Sequence, residues 1–350
     1  MRDFHQLIET IQKNCNIADA NHARNMTMCT YLLEMREFFR WENELPLTAP
    51  PPRSEIGEWI TKRESLWETL ETDDFAALLV DGKTIDPFES KTINQALVPE
   101  GYVYGAGIGR YRKPHFFLGE LKRREEREGL TIYVTGCEYA RDLSTVPAAY
   151  QDGAIYLRTD ALKRALWEKV ELWGRKKPDG AMQAALLCYG FERNPETALE
   201  HMTEAQSETV ILHEIGEAHA DRLLGADWQA MIGNFTQKHP ELLARSIRDN
   251  LADCLSTLPA LLKNRAWGSL HYYMAEFDGL RLVLFPALSQ AYKTWRETGD
   301  TEALEKTIAR GQTHWLKQAE LLLEIYRNDP QNAEEEIQAL RKQTHDPFEY

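Results

Sequence analysis

Residues 211–221 read Ile-Leu-His-Glu-Ile-Gly-Glu-Ala-His-Ala-Asp. This stretch constrains the fold more than any other, because only a helix turns its side chains into a set. Each helical residue advances about 100°, so positions four apart lie about 40° apart on one face. His213 and Glu217 therefore point the same way, with Glu214 one step round. His219 lies roughly 120° off that face in a regular helix. It reaches the same point only if the helix is bulged or ends nearby, and Gly216 is the residue that would permit this. A His-Glu pair followed one turn later by another metal-competent side chain is how helical metallohydrolases begin their sites. The His binds the metal, the Glu is the general base on its water, and the residue four positions on is a second ligand. That fourth position is Glu217 rather than His. Glu217 is the first candidate for second ligand, and His219 the other.

A second segment carries the partner groups. In Ser-Ile-Arg-Asp-Asn-Leu-Ala-Asp-Cys-Leu-Ser-Thr-Leu-Pro-Ala, residues 246–260, Asp249 and Asp253 are one helical turn apart. Ile247, Leu251, Ala252, Cys254 and Leu255 surround them, so the helix reads as mostly buried. Two carboxylates on a buried helix are costly unless they are paired or bind a cation. In one reading they form a cluster with Arg245 and Arg248. In the other, Asp249 completes a coordination sphere and Asp253 accepts the remaining ring N–H of a ligating His.

This order, a His-Glu helix followed some thirty residues on by an acidic-x-x-x-acidic helix, resembles the gluzincin metallopeptidases. The resemblance is closest to the dipeptidyl-peptidase III type. It covers roughly residues 207–290 and includes Arg248-Asp249-Asn250-Leu251-Ala252-Asp253 and the run Tyr272-Tyr273-Met274-Ala275-Glu276-Phe277-Asp278-Gly279-Leu280-Arg281. The second His falls later than in that family, and an Asp stands where a ligating Glu is usual. The resemblance implies one divalent metal, zinc first. A set of one His and two carboxylates is harder than the usual zinc set and admits manganese or iron. His271 and Tyr273 follow the acidic helix, where peptidases place a donor for the tetrahedral oxyanion. The sheet before the metal helix would bind extended peptide along an edge strand, for which Gly153–Arg158 is the candidate.

The chain has 350 residues and a formal net charge of −14. That charge argues against general binding to nucleic acid or to an anionic membrane surface. No apolar run has the length of a membrane span, and no signal peptide begins the chain. Cys15, Cys29, Cys137, Cys188 and Cys254 are scattered and odd in number, as suits reduced thiols in a bacterial-type cytoplasm. Helical periodicity covers 2–14, 26–42 and 54–71, with Leu45–Pro52 as a break between the last two. Tyr102–Ile108 and His115–Leu118 read as a hairpin about a Gly/Arg/Lys/Pro turn. Leu130–Thr135 and Ala154–Arg158 read as strands, and the charged run 119–128 as a solvated helix. From Thr159 nearly everything is helical, ending near 302–326 and 331–343.

The expected fold is thus α+β, mostly α, with a small antiparallel or mixed sheet preceding a helical metal-site domain of gluzincin type. The expected regions are 1–98 (helical), 99–160 (sheet) and 161–350 (helical, with the site). The expected function is single-metal hydrolysis of a peptide or small amide. The alternatives are a metal-dependent oxygenase or lyase, or a non-catalytic binding protein of gluzincin shape. Oligomeric state is not legible.

Overall fold

The computed structural model describes residues 2–49, 51–109, 112–151 and 153–340. Arg110 and Tyr111 of the expected hairpin turn, and 341–343 of the expected last helix, lie outside these. The architecture is α+β with helices dominant, and the chain divides into two compact units, 1–169 and 170–350. The helices expected over 1–98 and the sheet expected over 99–160 fall in one unit.

In the first unit, α1 (Arg2–His22), α2 (Met28–Glu42) and α3 (Arg53–Leu70) are followed by the two-stranded hairpin β1 (Leu78–Val80) and β2 (Lys83–Ile85). Its turn is Asp81-Gly82, both at positive φ (50° and 73°), the backbone that a two-residue hairpin demands. Helix α4 (Ser90–Leu97) leads into β3 (Tyr102–Ile108), β4 (Pro114–Arg127), β5 (Leu130–Arg141), β6 (Ala148–Gln151) and β7 (Ala154–Arg158). These form one mixed sheet in the order β3-β4-β5-β7-β6, with β5 and β7 parallel. Leu7, Ile11, Cys15 and Ala18 continue one stripe of α1 beyond residue 14 and pack on Tyr104, Ala106, Phe116, Leu118 and Ala140 of the sheet. Each large apolar side chain buried there contributes about 1.5–3 kcal/mol. The Asn94 side chain accepts the Tyr104 N–H at 2.8 Å and donates to the Tyr104 carbonyl at 2.7 Å, so α4 occupies part of the β3 edge.

Two expectations change here. The charged run 119–128 is not a helix: β4 continues through it to Arg127, paired with β5. Over Arg123–Arg127, residues two apart carry opposite charge, so on a strand Arg123, Glu125 and Arg127 pair along one face (Arg123–Glu125 3.6 Å, Arg127–Glu125 3.0 Å) and Arg124 and Glu126 along the other (3.2 Å). The candidate peptide-binding edge, Gly153–Arg158, lies inside the sheet. β7 is buried along its whole length and hydrogen-bonded on both sides, by β5 and β6.

A buried charge network ties α1 to this sheet. Lys113 Nζ lies 3.0 Å from Asp19 and 3.3 Å from Asp142, His115 Nδ1 is 2.5 Å from Asp142, and Arg158 Nε donates to Glu138 at 2.5 Å. Half-buried Glu34 on α2 lies within range of its charges. Burial pushes its carboxyl up to about 7, against the opposing pull of Arg141.

The boundary between the units falls within α5 (Thr159–Lys176). The second unit is helical: α6 (Ala181–Tyr189), α7 (Pro195–Leu224), α8 (Ala226–Asn234), α9 (Lys238–Ala252), a π-helical turn (Asp253–Thr257), α10 (Leu258–Lys263), α11 (Trp267–Glu276), α12 (Gly279–Leu284), α13 (Pro286–Thr298), α14 (Glu302–Asn328) and α15 (Ala333–Leu340). Its core joins Leu243, Ile247, Leu251 and Leu258 to Trp228, Phe285, Trp315 and Leu322. No helix among the described residues is long and apolar enough to cross a membrane.

Candidate metal centre

Helix α7 is 30 residues long, begun by Pro195 in its first turn and by the Asn194 side chain, which accepts the Thr197 N–H at 3.2 Å. Ile211, Ile215 and Ala218 bury one stripe of it. The helix runs unbroken through Gly216, which serves close packing instead of a bulge: a Cβ built there would meet the backbone of Ala252 on α9. Nothing larger than glycine lets the two helices approach this closely.

That approach brings His213, Glu217 and Asp249 together, with one ligand-competent atom from each, all within 4.8 Å of one another. His213 Nε2 lies 3.4 Å from Glu217 Oε1, the one-turn neighbour on its own face. On the other side of the ring, His213 Nδ1 lies 2.7 Å from Asp253 Oδ1. His219, half-buried on the same unbroken helix, is not part of the group. Glu214 is buried, and its charge bears on Arg248.

Two arginines complete the electrostatics. Arg248 Nη2 donates to Glu217 at 2.5 Å and to Asp249 at 3.3 Å, and the charges of Asp221 and Glu214 also act on it. Arg281 bonds Asp253, donates to Asn250 Oδ1 at 3.1 Å and meets Tyr273 Oη at 2.8 Å. Tyr273 donates its own hydrogen to Asp253 at 2.9 Å. Arg245, by contrast, pairs with Glu241 at 2.8 Å. Glu214, Glu217, Asp221, Asp249 and Asp253 thus outnumber Arg248, Arg281 and a protonated His213. Burial alone would raise Glu217, but Arg248 and His213 reverse that and hold its carboxyl at about 2. Burial likewise opposes ionised Asp253, and His213 and Arg281 hold it well below the usual carboxylate range. Burial alone would lower His213, yet Asp253 and Glu217 keep its ring protonated well above the ordinary value.

The π-helical turn carries Asp253. Its extra residue sends the Leu258 N–H to the Asp253 carbonyl, five residues back, and the Cys254 carbonyl so released accepts from Gln312 Nε2 at 2.7 Å. Pro259, which lacks an N–H, follows at once.

His271 contacts a different set of residues. Its Nδ1 lies 2.7 Å from Tyr292 Oη, and its ring packs 5.2 Å from Trp295. His271 and Tyr273 are two residues apart on α11, hence about 200° round the helix from one another. Sequence reasoning gave Arg281 no role, although it stands in the segment that carried the family resemblance.

Residues 6–158 match the N-terminal domain, and residues 163–344 the C-terminal domain, of a family of unknown function (DUF6866). No curated protein and no solved structure matches the chain.

Proposed function

The chain belongs to this two-domain family, and we propose that its second unit is a single-metal hydrolase of peptide or small amide bonds. The observation that carries the reading is the group His213, Glu217 and Asp249, with donor atoms within 4.8 Å and the far nitrogen of the imidazole held by Asp253 at 2.7 Å. A carboxylate on the second nitrogen is how proteins orient a ligating His. The residues present fit a divalent cation: one nitrogen and two carboxylates, in a cluster with an excess of negative charge. Zinc, manganese and iron all accept such a set. An ion held there supplies a water of lowered pKa.

The residues around it divide the remaining work. Glu214 takes the proton and passes it to the leaving amine. Asp253, fixed by Arg281 and Tyr273, orients His213. For the set to ligate, Arg248 must leave Glu217 and Asp249 and His213 must release its Nε2 proton, so a divalent ion would replace one guanidinium and one proton. Tyr273 could serve an oxyanion only by giving up its bond to Asp253. The five free thiols support a reducing, cytoplasmic setting, and the negative charge supports a small substrate over nucleic acid or an anionic membrane.

One observation favours a second reading. Arg248 already pairs with both Glu217 and Asp249, as in a structural ion-pair network, which fits a non-catalytic binding protein. Elemental analysis of the purified protein beside His213→Ala separates the two. The proposal expects one equivalent of divalent metal in the parent protein and none in the variant. Metal-free parent protein that takes up none on incubation with zinc, manganese or iron overturns it in favour of the network.

A further inference from the structure

The pocket that holds His271 is a separate feature of the second unit. Ala184, Trp267, His271, Trp295, Arg296 and Gly299 line a cavity of about 400 Å³. Helical spacing assembles it. Trp267 and His271 are one turn apart on α11, and Tyr292 stands one turn before Trp295 and Arg296 on α13. The indoles of Trp267 and Trp295 lie 5.0 Å apart, the His271 ring lies 5.2 Å from Trp295, and buried Tyr292 closes the group at 5.8 Å from both His271 and Trp295.

One hydrogen bond and one cation–ring contact join His271, Tyr292 and Arg296. The Arg296 guanidinium lies 5.9 Å from the centroid of the Tyr292 ring, and the Tyr292 hydroxyl meets His271 Nδ1 at 2.7 Å. A neutral His271 that accepts at Nδ1 carries its proton on Nε2. Burial and then the Arg296 charge push the ring below its ordinary value, in keeping with the neutral form. Arg296 is exposed, and no carboxylate pairs with it among the described residues. The cavity therefore offers two indole rings, one imidazole and one guanidinium without a carboxylate partner.

We propose that this cavity binds a planar aromatic carboxylate, its ring against Trp267 and Trp295 and its carboxylate on Arg296 and His271. The chemistry selects that class over its neighbours. A cation is repelled by Arg296, an aliphatic acid leaves the indole faces unused, and a planar carboxylate matches the fork of a single guanidinium. The volume is at the lower end for small-molecule sites and holds one or two fused rings. None of the lining residues belongs to the metal-ligand group, so this site stands or falls separately.

Isothermal titration with 2-naphthoate, 2-naphthamide and cyclohexanecarboxylate tests it on the full chain. Saturable binding of 2-naphthoate is expected, with both analogues weaker by about tenfold or more, since each lacks the charge or the ring. Arg296→Gln, at an exposed position that the fold does not need, should weaken 2-naphthoate by a similar factor and leave 2-naphthamide unchanged. Absence of saturable 2-naphthoate binding, equal binding of acid and amide, or an unaffected Arg296→Gln variant would each overturn the proposal.

Discussion

Replacing Gly216 by Ala tests whether the α7–α9 contact builds the candidate centre. A Cβ at this position would lie 2.8 Å from the Ala252 carbonyl carbon and 3.1 Å from its Cα, where ordinary van der Waals contact begins at 3.4 Å. The atoms struck are backbone, so no side chain can swing away and the helices must part by more than half an ångström. Alanine is the better helix former by about 0.8–1 kcal/mol, while an extra methyl forced into a packed interface costs about 1–3 kcal/mol. Because the backbone itself must move, the upper part of that range applies and the net loss is about 1–2 kcal/mol. Gly233 in α8 is the control: it is exposed, its Cβ would meet nothing within 4 Å, and Gly233→Ala should gain up to about 1 kcal/mol. Urea unfolding supplies the midpoints, and metal uptake by the same samples reports whether Asp249 has drawn away from His213 and Glu217. A Gly216→Ala protein as stable as the parent, with unchanged metal uptake, would refute the reasoning.

Three further outcomes follow from the geometry. Glu217→Ala should lose bound metal while His219→Ala retains it, because only the one-turn neighbour shares the face of His213; the reverse pattern in elemental analysis would reject Glu217 as ligand. Glu214→Gln should keep its metal and lose turnover on a peptide or amide library by about 10²–10⁴-fold, and undiminished turnover would exclude it as the base. Glu34 has a folded pKa raised to about 7 from 4.5. Its contribution to stability is therefore fully present below about 4.5 and lost as pH rises through about 7. Glu34→Gln should accordingly unfold at higher urea than the parent at pH 8, with the difference shrinking at pH 5; a pH-independent difference would contradict the burial argument.

What the sequence disclosed was what short-range geometry dictates. The one-turn spacing of His213 and Glu217, and of Asp249 and Asp253, placed each pair on a shared helical face, and the cost of burying two aspartates pointed to cationic partners. Contacts with remote segments were less accessible. Arg281 reaches Asp253 from 28 positions away, and nothing local marks it. The position of β7 inside the sheet depends on β6 folding back beside it, a topological fact rather than a pattern in Ala154–Arg158. Other features were legible and went unread. Opposite charges two residues apart over Arg123–Arg127 suit the faces of a strand, Asp81-Gly82 after the apolar run Leu78–Val80 signals a hairpin, and a two-residue separation keeps His271 and Tyr273 off a common face. Pro259 likewise hinted at an irregular turn just before it.

The π-helical turn makes the centre sensitive to the count of residues as well as to their identity. Deleting one residue within 254–257 would leave every charged side chain of the centre in the sequence and let the segment run on as an ordinary α-helix. The chain before the deletion would then stand about 100° out of phase with the chain after it. Asp249 and Asp253 lie on one side of that step, and Tyr273 and Arg281 on the other. The Cys254 carbonyl would turn back into the helix, and Gln312 would lose its acceptor. A one-codon loss touching no charged residue is therefore enough to dismantle the arrangement.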